Sequence, residues 1–233
     1  MSIIVPAILE LTTDALIEQI KRVERELPTV PYVHIDIMDG SFVKHKSEID
    51  PEELELLSTR LKFEVHFMTI KPERVVWEWA EIPGVFRVIR HMEAMGSISE
   101  FFGEVSSCEL ESGIAFNPLT DYSDTDYRTF DFVNQGVPDL IQFMTVFPGD
   151  QGAPLVKSVI DKMKVYQEYQ KNKLVYKDSR KSPLISVDGA INKETIGLFK
   201  DLKVDIFNVG SDLLRAADMA AEYHELQNLI KNY

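Results

Sequence analysis

Residues 32–40, Tyr-Val-His-Ile-Asp-Ile-Met-Asp-Gly, alternate aliphatic side chains with a histidine and a carboxylate. On a β-strand successive side chains point to opposite faces, so His34, Asp36 and Met38 share one face and Val33, Ile35 and Ile37 the other. Residues 62–68 repeat the pattern, with Glu64, His66 and Met68 opposite Phe63, Val65 and Phe67, and the run 184–189 carries Asp188 at its end. The aliphatic faces call for a cover of helices. That turns the polar faces inward, where a bare charge is costly unless it is paired or bound to a metal. His34, Asp36, His66 and Asp188 are thus a candidate ligand set for one divalent ion, and two imidazoles with two carboxylates suit Zn²⁺, Fe²⁺, Mn²⁺ or Co²⁺ better than Mg²⁺. Singly, an inward histidine reads as a hydrogen-bonded core residue and an inward aspartate as an ion-pair partner; only their joint placement at strand ends points to a metal.

The elements that must carry these residues recur along the whole chain. Strand patterns fall at Ile3–Leu9, Tyr32–Met38, Phe63–Met68, Val85–His91, Gly113–Asn117, Ile141–Val146, Leu184–Asp188 and Val204–Val209. Helical patterns lie between and after them, at Asp14–Glu26, Pro51–Arg60, Glu73–Ala80, Ile98–Cys108, Tyr127–Gln135, Leu155–Asn172, Lys193–Leu202 and Leu213–Asn232. Thr12 or Thr13, Asp50-Pro51, Lys71-Pro72 and Asn192 mark helix starts. Eight βα pairs in 233 residues match the arithmetic of a closed (β/α)₈ TIM barrel formed by residues 1–233 as one domain. Periodicity alone leaves a doubly wound open sheet available. Polar residues gathered at the ends of several strands favour the barrel, whose catalytic groups sit there.

Composition narrows the partners. With 38 acidic against 25 basic residues the formal net charge is −13, which repels nucleic acid and anionic lipid at long range. A phosphorylated ligand would need local backbone amides, a helix N-terminus or a metal. Cys108 is the only cysteine, so neither an intrachain disulfide nor a multi-cysteine zinc site can form. The N-terminus lacks a basic leader and no run approaches the roughly 20 apolar residues of a membrane span, so a cytoplasmic protein is expected.

The segments VHIDIMDGSFV, FEVHFM, MTVFPGDQG, ISVDGAIN and NVGS resemble, in order and by strand, the signature segments of ribulose-phosphate 3-epimerases, from Pro6 to Ser211. The resemblance implies a phosphorylated ketose as substrate, one divalent metal on His34, Asp36, His66 and Asp188, and Asp36 and Asp188 as the proton-transferring pair. It implies a substrate and phosphate site at His66, Gly149, Asp150, Gln151, Gly152, Gly189, Gly210 and Ser211, and an active-site lining of Ala7, Met38, Met68 and Met144. Homo-oligomers, dimers or hexamers, are also common in the family. His91 and Glu93 fall at the end of the fourth strand pattern, and His224 reads as structural.

Departures from the family pattern are local. Ala7 stands where PSILS has serine, Gly149-Asp150-Gln151-Gly152 replaces a GFGG loop, and Lys44-His45-Lys46 follows the MDG turn, a run read first as surface charge. Ala190 replaces the second glycine of VDGG, a change without consequence if that position needs no positive φ. A 3-epimerase of a related ketohexose 6-phosphate therefore stays open, as does a non-catalytic barrel that keeps metal and phosphate sites. A phosphate-binding barrel decarboxylase would need D-x-K-x-x-D at the second strand's end, and Met38 occupies the lysine position.

Overall fold

The computed structural model describes residues 2–120, 138–149, 152–172 and 182–231. Its elements are β1 (Ile3–Ile8), α1 (Thr13–Glu26), β2 (Tyr32–Met38), α2 (Pro51–Glu55), β3 (Lys62–Met68), α3 (Val76–Ala80), β4 (Val85–His91), α4 (Ile98–Ser107), β5 (Glu111–Phe116), β6 (Leu140–Met144), α5 (Ser158–Asn172), β7 (Leu184–Asp188), β8 (Ile206–Val209), α6 (Ser211–Leu214) and α7 (Met219–Ile230). Short 3₁₀ turns stand at Pro72–Arg74 and Ile196–Phe199. The eight strands close in sequence order, and β8 pairs in parallel with β1. This is the TIM barrel, and the open sheet is excluded. The helix expected over Tyr127–Gln135 lies outside the described residues.

The strands sit close to their expected bounds, whereas several helices depart from theirs for local reasons. The pattern begun at Pro51 stops at Glu55 instead of Arg60, because the Arg60 guanidinium is drawn to the carbonyls of Glu24, Leu27 and Val30 at the end of α1. Ser58 and Thr59 add little helical preference of their own. The helix expected over Lys193–Leu202 is one 3₁₀ turn, Ile196–Phe199, with Gly197 inside it; its N-cap is Thr195, without a side-chain cap, and the Asn192 side chain accepts from the Glu194 and Thr195 amides of the turn that precedes it. The last pattern is two helices. Arg22 holds the carbonyls of Leu214 and Ala216 at 2.6 and 3.1 Å, and Asp218 begins α7 by accepting from the Ala221 amide at 2.9 Å.

The alternation read from β2 and β3 sorts the side chains into two layers. Val33, Ile35, Val65, Phe67, Phe143 and Val187 face outward and join Leu16, Ile20 and Val23 of α1 in the main core. Inside the barrel, Val5, Ile89, Ala115, Leu140 and Ile206 make a small apolar plug, with Tyr32 and Leu184 from strand starts against it. Toward the C-terminal ends the interior is polar: His34, Asp36, His66, His91, Gln142, Ser186, Asp188 and Asn208 are all buried. The apolar plug thus floors the polar site.

Gly113 leaves room for Ile89 in that floor, since a Cβ there would lie 2.7 Å from Ile89 Cγ1. Gly113→Val should therefore destabilise the fold by about 1–3 kcal/mol through overpacking, read as a lower urea midpoint at unchanged slope. An unchanged midpoint would mean that the floor is loosely packed.

Candidate active site

Register places the polar residues in rows across the barrel. His34 of β2 pairs with Ala7 of β1 and Glu64 of β3, and one layer higher Asp36 pairs with His66. Asp188 of β7 pairs with Met144 and Asn208 on its two sides. The result is that one ligand atom from each of His34, Asp36, His66 and Asp188 lies within 4.8 Å of the others, the only such cluster among the described residues.

Each histidine is oriented by a partner on its far side. His34 Nδ1 lies 2.8 Å from Glu64 Oε1, and its Nε2 faces Asp36 and Asp188 oxygens at 3.3 and 3.8 Å without a hydrogen bond. His66 turns Nδ1 to Asp36 Oδ1 at 2.7 Å and Nε2 to His91 Nε2 at 2.9 Å. His91 Nδ1 in turn is 3.4 Å from Glu93 Oε2, and Glu93 Oε1 accepts from the Asn117 amide and the Thr120 hydroxyl. His91 and Glu93 are therefore supports of His66. Gln142 bridges the remaining side, its Nε2 donating to Asp188 Oδ2 at 3.3 Å while its Oε1 accepts from Asn208.

Electrostatics pull the two aspartates apart. Burial opposes ionisation of Asp36, but the His34 ring, its Nε2 3.3 Å away, and the hydrogen bond from His66 outweigh it and hold this carboxyl far below the usual range. For Asp188 the balance is reversed: burial first, then the Asp36 charge, push it up to about 6 against the weaker pull of His34 and His66. His34 is driven upward, burial being outweighed by the nearby Asp36 carboxylate, the hydrogen bond to Glu64 and the Asp188 charge. His91 moves the other way, to about 4, because burial disfavours its cation. The cluster thus calls for positive charge at its centre. The orphaned Nε2 of His34, aimed at two carboxylates, fits a bound cation in place of a proton, and histidines braced by carboxylates are the usual support for one.

The cluster opens into a cavity of about 340 Å³ lined by Asp36, Asp188, Ala7, Met68 and Met144. Gly149, Gly152, Gly189, Gly210 and Ser211 line its far side, with Asn192, Asp212 and Arg215. His34 and His66 lie beneath this surface, fully buried, and Met38 is buried at the end of β2 away from the lining. Asp150 and Gln151 fall outside the described residues. Lys44, His45 and Lys46 are exposed and stand off the cavity, as a surface charge run would. His224 is exposed on α7 beside Gln227. Gly189 is at φ +103 with Val146 against it, and Ala190 is at φ +49, so the second position of the VDGG-like turn does take a left-handed backbone. Alanine there costs about 1 kcal/mol that glycine would avoid.

Sequence reasoning assigned no task to Gln142, Asn208, Asp212 or Arg215, and read Asn192 only as a helix start. Period-two alternation reaches the first two, inward on strands six and eight. Asn192 sits on a loop, Asp212 in the four-residue helix α6 and Arg215 at its end, where no periodicity speaks.

The sequence matches the ribulose-phosphate 3 epimerase family over residues 3–214. The chain belongs to that family. It is 31% identical over 195 residues to a ribulose-phosphate 3-epimerase of Chlamydia pneumoniae, covering 82% of this chain and 79% of the relative. To the Bacillus subtilis (strain 168) enzyme of the same name it is 29% identical over 226 residues, covering 96% and 97%. Family membership makes the protein an isomerase-class enzyme. Among solved structures, the barrel resembles 3-keto-L-gulonate-6-phosphate decarboxylase of Vibrio cholerae O1 biovar El Tor str. N16961, with a TM-score of 0.67 at 16% identity over 100% of this chain and 98% of that one. That likeness is one of fold. No helix among the described residues is long and apolar enough to cross a membrane.

Asp188 generates a stability test. Its carboxyl titrates near 6 when folded against 3.8 ordinarily, so the stability tied to it is complete below about pH 3.8 and is lost as pH rises through about 6. In chelator at pH 7.5, Asp188→Asn should therefore be more stable than the parent by about 1–3 kcal/mol in urea, with the gain gone near pH 4. No gain at pH 7.5 would show that the buried charge is not under strain.

Proposed function

We propose that this enzyme interconverts D-ribulose 5-phosphate and D-xylulose 5-phosphate by inverting C3 through an enediolate. The observation that carries the reading is that two aspartates, Asp36 on β2 and Asp188 on β7, face one cavity within the same His/Asp cluster. Inversion next to a carbonyl needs a proton removed from one face and another delivered to the opposite face, so one group must begin as base and the other as acid. Asp36, held ionised by two imidazoles, takes the C3 proton of D-ribulose 5-phosphate. Asp188, with its pKa raised to about 6, is the acid on the other face, and the roles exchange in the reverse direction.

His34, Asp36, His66 and Asp188 are the residues that would hold Zn²⁺, Fe²⁺, Mn²⁺ or Co²⁺. When bound, such an ion supplies concentrated positive charge beside the substrate oxygens and lowers the cost of the enediolate. Gln142 keeps Asp188 turned toward the cavity. Met68 and Met144 present polarisable apolar walls that exclude water from a carbanion-like species. The phosphate belongs at Gly149, Gly152, Gly189, Gly210 and Ser211, where bare backbone lets amides approach an anion; the sequence adds Asp150 and Gln151 to the same proposed set. Relatives named for this activity support the substrate; a cytoplasmic, homo-oligomeric enzyme belongs to the same reading.

In ²H₂O the wild-type protein should wash deuterium into C3, and Asp36→Asn or Asp188→Asn protein that still folds should turn over about 10²–10⁴-fold more slowly. Full exchange in either variant would remove that residue from the reaction. Chelator-stripped protein should lose turnover of D-ribulose 5-phosphate and regain it with one of the four ions. Turnover that survives stripping would contradict the metal requirement.

A further inference from the structure

Resting on the metal-centre reading above, we infer that Arg87 is a positioning residue for the metal: with Glu111 it anchors Glu64, which in turn aims His34. The four residues lie side by side on adjacent strands, His34 paired with Glu64, Glu64 with Arg87, and Arg87 with Glu111. His34 Nδ1 is 2.8 Å from Glu64 Oε1, and Arg87 Nη1 donates to the other oxygen, Oε2, at 2.5 Å. Arg87 Nε and Nη2 both donate to Glu111 Oε2, Nε at 2.9 Å. Glu64 is wholly buried and the Arg87 side chain 5% exposed, whereas Glu111 is 49% exposed. The row therefore runs from the centre of the barrel out to solvent.

A backbone irregularity sets it up. Between β3 and β4 the register jumps so that Phe63 pairs with Val85 but Glu64 with Arg87. Val85 packs with the outer layer, and the additional residue lets Arg87 turn inward at the height of Glu64. A carboxylate buried this deeply keeps its charge and its orientation only when its second oxygen is also satisfied. Arg87 supplies that partner with a planar donor, and the exposed Glu111 fixes the far side of the guanidinium. Glu64 is then free to present one oxygen to His34 and hold its Nε2 on the point where Asp36 and Asp188 converge. Second-row partners of metal-binding histidines of this kind change affinity by about 10–100-fold when removed.

The test is Co²⁺ binding to the purified, metal-stripped protein, followed by the visible ligand-field spectrum and by competition with a chelator of known affinity. Arg87→Met should bind Co²⁺ about 10–100-fold more weakly, with an altered spectrum, while its circular dichroism stays native. Arg87→Lys, which restores charge with a single-point donor, should recover part of the affinity, and Glu111→Gln should lose only a few-fold because that end is in water. If Arg87→Met does not fold, the neutral pair Glu64→Gln/Arg87→Met removes both buried charges and should fold yet still bind weakly. Wild-type affinity and spectrum in folded Arg87→Met, or in the double variant, would overturn the inference. Failure of the wild-type protein itself to bind Co²⁺ would instead overturn the metal-centre reading on which it rests.

Discussion

Three carboxylates, Asp36, Glu64 and Asp188, are buried around two imidazoles with almost no water to share their charge, and the remainder of the architecture answers to that constraint. Arg87 balances Glu64 from the adjacent strand. Among the described residues no guanidinium does the same for the two aspartates, and the imbalance is visible in the opposite displacements of their proton affinities and in the upward displacement of His34. A packed domain tolerates such a focus of negative potential when function requires it, and an ion of double charge is the simplest occupant that removes the strain. The same asymmetry serves acid–base work, because two like groups become useful as a pair only when one is a base while the other is an acid.

Barrel geometry turns this electrostatic requirement into a site. Parallel pairing brings His34, Glu64, Arg87 and Glu111 into one row and Asp36 and His66 into the row above, so that groups far apart in sequence meet through register alone. Beneath them the apolar plug closes the interior, and above them glycine-rich loops leave a cavity whose only buried carboxylates are Asp36 and Asp188 among its described lining. Three of the four ligands are also braced from outside the cluster: Glu64 behind His34, the His91 and Glu93 relay behind His66, Gln142 beside Asp188. This bracing keeps the groups in place before a substrate arrives.

Much of this was legible in the chain. Period-two alternation on β2 and β3 separated the liganding face from the packing face, and eight repeats of strand and helix with polar residues gathered at the strand ends favoured closure over an open sheet. Helix extents were less legible because they depend on distant partners. Arg60 leaves its own helix to cap α1, and Arg22 fixes the break before α7, neither of which is a local preference. Arg87 escaped notice for a related reason: an extra residue in β4 breaks the alternation, so that Val85 and Arg87, two apart, face opposite layers. The left-handed Ala190 was likewise invisible, since an alanine gives no hint of positive φ. Asp212 and Arg215 reach the cavity from α6 and its C-cap, an element too short for any periodicity to describe.

The central claim is that His34, Asp36, His66 and Asp188 converge on a single cation. Crystals grown with Co²⁺ or Zn²⁺ and measured on both sides of that metal's absorption edge test it most directly. The account predicts one anomalous peak bounded by all four side chains, with His34 Nε2 and His66 Nδ1 as the nitrogen ligands. A peak elsewhere, or one from which Asp188 is turned away, would contradict it.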